Sequence, residues 1–315
     1  MKTVALGNSD ERVSEFALGT MYFGSALDEK QSAAVLEQYL DLGGSFLDTA
    51  NNYAHWVPLC EGTESESFLG RWFEKSGRRK SVFLATKVGF DKHGKDRGLK
   101  REQIVRNCEK SLILLRTDHI DLYYAHTDDR DTPLEETLEA FDLLHRQGKA
   151  RFLGASNYVS WRYVDALNLS GKKGYASFAC LQNQFTYLCP SPADFDPRHV
   201  AIDPPLIDLA RDRGFPLVAY STLLRGFYSK PAQPIPKAFD NGYNRQRLEA
   251  LERVRIEIGD ITANQLVLAW MRSQKAEIIP LVSGSTADQI RSNLEAAEIR
   301  LTADQLERLN SPGKF

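Results

Sequence analysis

The chain has 315 residues, with 40 lysines and arginines against 42 aspartates and glutamates and a formal net charge of −2 at pH 7. This balance, without a basic stripe, argues against nucleic-acid binding, and no apolar run reaches the ~20 residues that span a bilayer. The four scattered cysteines form no CxxC pair and indicate reduced thiols, and the charged N-terminus lacks the apolar core of a signal peptide, so we expect a cytoplasmic protein without membrane contact.

The N-terminal region predicts a β-hairpin within residues 1–17. Two extended segments, Thr3–Leu6 and Arg12–Phe16, flank the turn-forming sequence from Gly7 to Asp10. Eight short apolar runs follow along the chain without strict alternation of apolar and polar residues, which is typical of strands buried on both faces of a parallel sheet. These predicted strands are Phe16–Met21, Ser45–Asp48, Val82–Lys87, Ile120–His126, Phe152–Ser156, Ala179–Asn183, Pro216–Tyr220 and Ile278–Val282.

Amphipathic runs between the predicted strands indicate helices. Glu29–Leu42 ends at Gly43 and Gly44, a helix stop, and Thr302 with Gln305 matches a capping box. The other predicted helices are Glu64–Lys75, Arg101–Leu115, Leu134–Arg146, Leu206–Arg213, Thr286–Ala297 and Thr302–Leu309.

The alternation of strands and helices in a chain of this length favours a closed (β/α)8 TIM barrel over an open doubly wound sheet. The segment from Gly19 to Gly24 also lacks the GxGxxG sequence that a dinucleotide-binding sheet needs after its first strand. We therefore predict one α/β domain over residues 1–315, with the hairpin at the barrel floor.

Four polar side chains lie at or just after the ends of consecutive predicted strands. Asp48 closes the second strand and Tyr53 lies in the loop that follows it. Lys87 closes the third strand and His126 closes the fourth. Each residue alone would more often have a structural or solvent-exposed role. Active sites of such barrels are built at the C-terminal ends of the strands, so the combination indicates a proton-donating site that suits reduction of a carbonyl group.

Each of the four side chains has a distinct predicted role. Tyr53 is the expected general acid, because a neighbouring Lys87 ammonium would lower the phenol pKa from its usual value near ~10. Asp48 would hold Lys87 charged and in position, and His126 would bind the carbonyl oxygen. The hydride must come from a cofactor, because no side chain can supply it.

Four segments carry a resemblance to a known family. They are Phe46–Tyr53, Ala85–Gly89, Asp118–His126 and Gly148–Asn157. Through them the sequence resembles the aldo-keto reductase superfamily over essentially its whole length, and it is most similar to the bacterial branch related to potassium-channel β-subunit-like reductases. Residues of the expected types fill all four positions of the family's catalytic tetrad, namely Asp48, Tyr53, Lys87 and His126.

The resemblance implies a nicotinamide cofactor, with NADP(H) favoured and NAD(H) as the second option. Ser156, Asn157 and Gln182 would hydrogen-bond the nicotinamide carboxamide. Tyr220 would stack on the nicotinamide ring, and Arg225 would bind the pyrophosphate together with backbone amides. The remaining implied cofactor contacts are Thr20, Met21, Asp48, Ser221, Thr222, Leu223, Gly226, Ser283, Ser285, Gln289 and Asn293.

The last predicted strand is followed by a turn, Ser283 to Thr286, where the family holds the adenosine 2′-phosphate. Free amides at a helix N-terminus bind phosphate, but many relatives carry arginine or lysine where Ser283 or Ser285 stands here. Arg291 is an alternative cation for the 2′-phosphate, and NAD(H) is the alternative to NADP(H).

Substrate contacts are expected from Tyr53 and His126 and from the loops beside them. His55 and Trp56 follow Tyr53 almost directly. Further aromatic candidates are Phe90, Tyr187, Phe227 and Tyr228. The charged segment Asp128–Asp131 is either a solvated loop or a binding site for a polyhydroxylated substrate such as a sugar.

The leading hypothesis is an NAD(P)H-dependent oxidoreductase that reduces an aldehyde or ketone, sugars and keto-sugars included, to an alcohol. The alternative is a nucleotide-binding regulatory subunit of the channel-β type, in which turnover is incidental. A metal-dependent hydrolase on the same barrel would need an HxH pair at the first strand, where the chain has Gly19-Thr20-Met21, so no metal is predicted. We expect a monomer or a small homo-oligomer.

Overall fold

The strands form an N-terminal hairpin and a closed parallel barrel whose strand order follows the chain. The computed structural model describes residues 1–90, 97–230 and 233–312. Its strands are β1 (Thr3–Ala5), β2 (Arg12–Ser14), β3 (Ala17–Gly19), β4 (Phe46–Asp48), β5 (Phe83–Val88), β6 (Ile120–Ala125), β7 (Ala150–Ser156), β8 (Phe178–Gln184), β9 (Leu217–Tyr220) and β10 (Ile278–Val282). Pairing of β10 with β3 closes the barrel. The predicted (β/α)8 barrel is confirmed, with strand ends within two residues of the predicted ones.

Strands β1 and β2 pair antiparallel as the predicted hairpin, which covers the barrel floor. Leu6 and Val13 are fully buried and pack inside the barrel with side chains such as Phe83. Gly7, in the hairpin turn, has a φ of +59°, and a Cβ there would lie 2.6 Å from the Ala179 carbonyl oxygen. The turn therefore requires glycine at this position.

Ten α-helices are present in the described ranges. They are α1 (Glu29–Asp41), α2 (Glu64–Ser76), α3 (Arg101–Leu115), α4 (Leu134–Arg146), α5 (Ser160–Lys173), α6 (Pro204–Arg213), α7 (Gly242–Ile258), α8 (Ala263–Arg272), α9 (Ala287–Leu294) and α10 (Ala303–Asn310). The predicted helix Thr286–Ala297 is divided between α9 and a 3₁₀ turn, Glu295–Glu298. The capping box of Thr302 and Gln305 at the start of α10 is confirmed. Across these same ranges, no helix has the length and apolar character needed to span a membrane.

Because side chains alternate between the two faces of each barrel strand, a set of polar side chains lies at the C-terminal edge of the barrel interior, here called the mouth. Successive side chains of a strand point to opposite faces, so every second residue faces the interior. The interior residues Phe46, Ala85, Tyr124, Cys180 and Val218 are followed two positions later by Asp48, Lys87, His126, Gln182 and Tyr220. The apolar interior therefore ends in a layer of polar side chains at the C-terminal edge of the barrel, where sites form in this fold.

Candidate active site

Asp48, Lys87 and Tyr53 form a hydrogen-bonded cluster at the mouth of the barrel. The Lys87 ammonium donates to the Asp48 carboxylate. It also donates to the Thr49 carbonyl oxygen at 2.7 Å and to the Tyr53 hydroxyl at 2.7 Å. The Tyr53 hydroxyl donates in turn to Asp48 Oδ1 at 3.2 Å. An ammonium has three hydrogens, so these contacts use every donor of the fully buried Lys87 side chain and fix its position.

Gln182, on the interior face of β8, binds the second oxygen of Asp48. Its Nε2 donates to Asp48 Oδ2 at 2.7 Å. Both carboxylate oxygens are therefore hydrogen-bonded, and the carboxylate cannot rotate away from Lys87 without losing a contact. The buried Thr20 hydroxyl donates to the Asp48 carbonyl oxygen at 3.0 Å and lies 2.9 Å from Ser65 Oγ, so it is committed to the barrel wall, while the neighbouring Met21 is partly exposed.

The electrostatics of this cluster differ from the sequence prediction. Burial and the Asp48 carboxylate raise the pKa of Tyr53 well above its usual value. Burial also lowers the pKa of Lys87, although contact with Asp48 counters this effect. The expected net lowering of the Tyr53 pKa by Lys87 is therefore wrong in direction, because burial removes the water that would solvate a phenolate. Tyr53 keeps its proton throughout the neutral pH range.

His126 follows β6 directly and presents a buried, neutral imidazole. Burial lowers its pKa well below the usual value, and the Lys87 ammonium and His199 add to this effect. Its ring centroid lies 6.0 Å from that of Tyr53. Within the described ranges its Nδ1 has no hydrogen-bonding partner. Buried polar atoms are normally paired, so this nitrogen, which is closed off from solvent, is an exception within the barrel.

A succession of aromatic rings surrounds the mouth. The Phe90 ring lies edge-on to His126, with centroids 4.7 Å apart, and 6.1 Å from the ring of His199. The His199 ring lies 5.7 Å from that of Tyr220. The sequence predicts no role for His199, because it lies in an irregular loop without a periodic pattern or a motif.

Asn157 connects the end of β7 to its neighbours. Its Nδ2 donates to the His126 carbonyl oxygen at 2.9 Å and to Ser156 Oγ at 3.2 Å. Its Oδ1 accepts from the Tyr220 hydroxyl at 2.6 Å. The residue has a φ of +57°, a conformation that asparagine tolerates better than most residues. Ser156, Asn157 and Tyr220, which were predicted to bind nicotinamide, are thus brought together beside the cluster.

Comparison with known proteins identifies the family. The family model described as Aldo/keto reductase family matches residues 15–313. The chain belongs to this family. The oxidoreductase YrpG of Bacillus subtilis is 33% identical over 327 residues, which cover 98% of this chain and 95% of YrpG. Protein tas of Escherichia coli K12 is 27% identical, with 96% of this chain and 95% of tas covered.

Two further aldo-keto reductase relatives are informative. Aryl-alcohol dehydrogenase GME11368 of Pestalotiopsis microspora is 25% identical, with 96% of this chain and 80% of that protein covered. The crystal structure of the thermostable aldo-keto reductase Tm1743, solved with the inhibitor epalrestat, superposes with a TM-score of 0.79 at 26% identity and covers 99% of this chain and 100% of Tm1743. The resemblance to the superfamily is confirmed, and these relatives give no specific support to the channel-β alternative.

In this aldo-keto reductase the predicted pyrophosphate loop, Ser221 to Gly226, is a tight turn. Ser221, Leu224, Arg225 and Gly226 all have positive φ. Thr222 is buried and donates to the Leu281 carbonyl oxygen at 2.8 Å, and Leu223 is also buried. The exposed Arg225 guanidinium makes no hydrogen bond or ion pair with another described residue, so it is available to an anion.

The predicted adenosine-phosphate turn is held by its own side chains. Gln289 Oε1 accepts from the Ser285 backbone N–H at 2.8 Å, and Asn293 Nδ2 donates to the Ser283 carbonyl oxygen at 3.2 Å. The Arg291 guanidinium donates to Gln38 Oε1 on α1 at 3.0 Å. Arg291 is thus engaged with α1 and makes no hydrogen bond with the described side chains that hold the turn.

Only some of the predicted substrate residues lie at the mouth. His55 and Trp56 pack against each other with ring centroids 5.1 Å apart, and the Trp56 side chain is 48% exposed. Tyr187 is fully buried and donates to the Leu309 carbonyl oxygen at 3.0 Å, so this candidate is wrong. Phe227 and Tyr228 are also buried, and the Tyr228 hydroxyl lies 2.6 Å from Thr186 Oγ1.

The first two carboxylates of the charged segment Asp128–Asp131 are bonded to groups of the protein itself. Asp128 forms ion pairs with Arg130 and with Arg162. Asp129 accepts from the Leu99 backbone N–H at 2.8 Å. These contacts favour a structural role for the segment over recognition of a sugar. In the described ranges no group of three or more histidine, cysteine, aspartate or glutamate side chains is arranged to hold a metal ion.

Proposed function

We propose that this aldo-keto reductase uses NAD(P)H to reduce an aldehyde or ketone to an alcohol, with Tyr53 as the general acid. The observation that most supports the proposal is the contact of 2.7 Å between the fully buried Lys87 ammonium and the Tyr53 hydroxyl. His126 stands beside this pair, with its ring centroid 6.0 Å from that of Tyr53. A carbonyl oxygen between Tyr53 and His126 would meet donors placed where negative charge develops.

The residues at the mouth fit a nicotinamide dinucleotide. The exposed Arg225 guanidinium has no partner among the described residues and suits a pyrophosphate, and the N-terminus of α9 offers free amides to a further phosphate. Ser156, Asn157 and Gln182 would hold the carboxamide. The Tyr220 ring would face the nicotinamide. When bound in its reduced form, the cofactor supplies the hydride.

The chain's own residues perform the proton transfer. His126 and Tyr53 orient the substrate oxygen, and the Tyr53 hydroxyl gives it a proton as negative charge develops there. Lys87 stabilises the phenolate that remains, and this compensates for the burial that otherwise disfavours it. Asp48 and Gln182 act on the substrate only indirectly, because they hold Lys87 in place.

The raised pKa of Tyr53 predicts opposite pH profiles for the two directions of the reaction. Reduction needs the protonated phenol, which persists below the raised pKa, so its kcat/KM should stay level through the neutral range and fall only at alkaline pH. Alcohol oxidation needs the phenolate, so its kcat/KM should rise with pH over the same range. Steady-state profiles in both directions test this, and a reduction rate that falls already between pH 6 and 8, a range of about two units around neutrality, would contradict it.

The proposed activity is tested by a panel of aldehydes, ketones and keto-sugars assayed with NADPH and with NADH. We expect loss of the reduced-nicotinamide absorbance with at least one carbonyl class. Separate fluorescence titrations would measure binding of each coenzyme without a substrate. Tight binding with no consumption across the panel would instead favour the nucleotide-binding regulatory subunit.

Within the panel we propose that aromatic aldehydes are better substrates than sugars. The rings of Phe90 and Trp56 offer apolar surface at and near the mouth. The carboxylates of Asp128 and Asp129, the candidates for binding sugar hydroxyls, are already bonded to Arg162 on α5 and to the Leu99 backbone N–H. A relative named as an aryl-alcohol dehydrogenase agrees with this choice.

Ser285→Arg should lower the KM for NADPH and leave the KM for NADH almost unchanged. We propose NADP(H) as the favoured cofactor, because the first backbone amides of α9 are offered to a 2′-phosphate, while the Ser285 amide and hydroxyl are bonded to Gln289. The turn lacks a guanidinium, whose charge-assisted bonds are roughly twice as strong as neutral ones. Initial rates against both coenzymes measure the change, and Ser285→Gln is the matched control because it adds length without charge.

A wild-type enzyme that already rejects NADH by several orders of magnitude would contradict this prediction. Another cation would then have to bind the 2′-phosphate of NADPH. Arg291 is the first candidate, but it would have to leave its contact with Gln38, so Arg291→Gln would follow as the next variant.

Three broader predictions belong to the same proposal. We propose that residues 1–315 act as a single barrel domain and that the protein is cytoplasmic. We also propose that it works as a monomer or a small homo-oligomer on a small-molecule carbonyl substrate. Limited proteolysis and light scattering would test the domain and assembly predictions directly.

A further inference from the structure

His199 stands at the end of the long loop between β8 and α6 and faces the mouth. The end of this loop is pinned to β8, because the Gln184 backbone N–H donates to the Val200 carbonyl oxygen at 2.9 Å. The Ile202 backbone N–H donates back to the Gln184 carbonyl oxygen at 2.8 Å. His199 directly precedes this pairing, so its position at the mouth is set by backbone contacts.

The hydrogen bonds around His199 determine which of its nitrogens carries hydrogen. Its Nδ1 lies 2.8 Å from the Tyr220 hydroxyl, and the Tyr220 hydroxyl donates to Asn157 Oδ1 at 2.6 Å. The orientation of the Asn157 amide is fixed, because its Nδ2 donates to the His126 carbonyl oxygen and its Oδ1 also accepts from the Val200 backbone N–H. A phenol has one hydrogen to give, so His199 Nδ1 must donate to Tyr220.

The surroundings of His199 agree with a neutral imidazole in this role. Burial lowers its pKa, an effect that Asp196 counters and Arg198 reinforces. Asp196 Oδ2 lies 4.0 Å from His199 Nε2, and His126 is the other titratable group across the mouth, on the far side of Phe90. A neutral ring with hydrogen on Nδ1 leaves Nε2 as an acceptor on the Asp196 side.

We propose that His199 is a positioning residue for nicotinamide binding, because it holds the Tyr220 hydroxyl and thereby fixes the Tyr220 ring and the Asn157 side chain. This inference rests on the proposed function. The same chain of contacts ends on the His126 carbonyl oxygen, so His199 connects the loop after β8 to both the cofactor side and the substrate side of the site. Loss of the His199 imidazole should leave the Tyr220 ring in the site but hold it less firmly.

His199→Ala should raise the dissociation constant for NADPH by roughly two- to twelvefold, the equivalent of one net hydrogen bond, and change kcat less. Quenching of tryptophan fluorescence without a carbonyl substrate measures it. His199→Asn places an amide donor where Nδ1 stands and should restore most of the affinity. The control Asp194→Asn breaks the ion pair of 2.7 Å that ties the same loop to Lys237 and should leave coenzyme affinity unchanged.

The Tyr220→Phe variant shows whether His199 acts through the Tyr220 hydroxyl or through the packing of its own loop. Contacting residues show non-additive effects in a double-mutant cycle, so His199→Ala should cause no further loss of affinity when the Tyr220 hydroxyl is already absent. Equal losses in both backgrounds would overturn the proposal, because His199 would then act only through the loop. Unchanged affinity in His199→Ala alone would overturn it as well.

A measurement on the coenzyme-free protein distinguishes failure of this inference from failure of the proposed function. Nitrogen-15 NMR of the histidine rings should show hydrogen on Nδ1 of His199, with its signal perturbed in Tyr220→Phe. Hydrogen on Nε2 instead would overturn the His199 contact while leaving carbonyl reduction intact. A wild-type protein that binds neither nicotinamide coenzyme would overturn both proposals.

Discussion

Tyr53→Phe should lower kcat by about 10²–10⁴-fold, which corresponds to about 3–5 kcal/mol of barrier. The substitution removes only the hydroxyl that we propose as the proton donor, and it keeps the ring between Lys87 and His126. Coenzyme affinity should therefore stay close to that of the wild type, because the phenol acts on the substrate oxygen. Steady-state rates and a fluorescence titration of the same preparation measure the two quantities.

Tyr175→Phe is the matched control for this experiment. Tyr175 is partly buried and lies three residues before the start of β8, at the opposite end of the barrel from the mouth, so the loss of its hydroxyl should leave kcat unchanged. A Tyr53→Phe enzyme that turns over at nearly the wild-type rate would show that the proton donor lies elsewhere.

Lys87→Met should impair both turnover and stability. The substitution leaves the fully buried Asp48 without its counter-ion, and removing one partner of a buried pair costs about 3–5 kcal/mol of unfolding free energy. It also removes the charge that stabilises the Tyr53 phenolate, so the rising limb of the pH profile for alcohol oxidation should move to higher pH. Denaturant unfolding and pH profiles measure the two effects.

The double variant Asp48→Asn with Lys87→Met separates these effects. It removes the unpaired charge and should recover much of the stability, but it should not recover turnover, because the ammonium is still absent. A pH profile of Lys87→Met that matches the wild type would argue against Lys87 as the group that tunes Tyr53.

The barrel could be predicted from sequence because its signals are local. Short apolar runs such as Ile278–Val282 mark buried strands, and strand alternation carries Asp48 and Lys87 to the mouth. Helices α5, α7 and α8 are not predicted by apolar periodicity. In α8 the residues from Gln265 to Met271 are all buried, so there is no polar face to reveal the helical period.

The residue types of the candidate site could be predicted from the sequence, but their pKa shifts and tertiary contacts could not. The direction of the Tyr53 pKa depends on the balance of burial against charge, and this balance exists only in the folded barrel. The contact of Gln182 with Asp48 and the direction of Arg291 toward Gln38 are tertiary features of the same kind. His199 reaches the mouth only because its loop is pinned to the end of β8.

Isotope transfer measures whether the hydride passes from the coenzyme to the carbonyl carbon. The reduced coenzyme, deuterated at the transferable position of its nicotinamide ring, would be mixed with the enzyme and the best aldehyde or ketone of the panel, and the alcohol would be examined by mass spectrometry. We expect one deuterium on the carbinol carbon of the product with the wild-type enzyme, and much slower formation of the same product with Tyr53→Phe. An alcohol without deuterium, or a coenzyme that binds and remains reduced with every carbonyl of the panel, would contradict it.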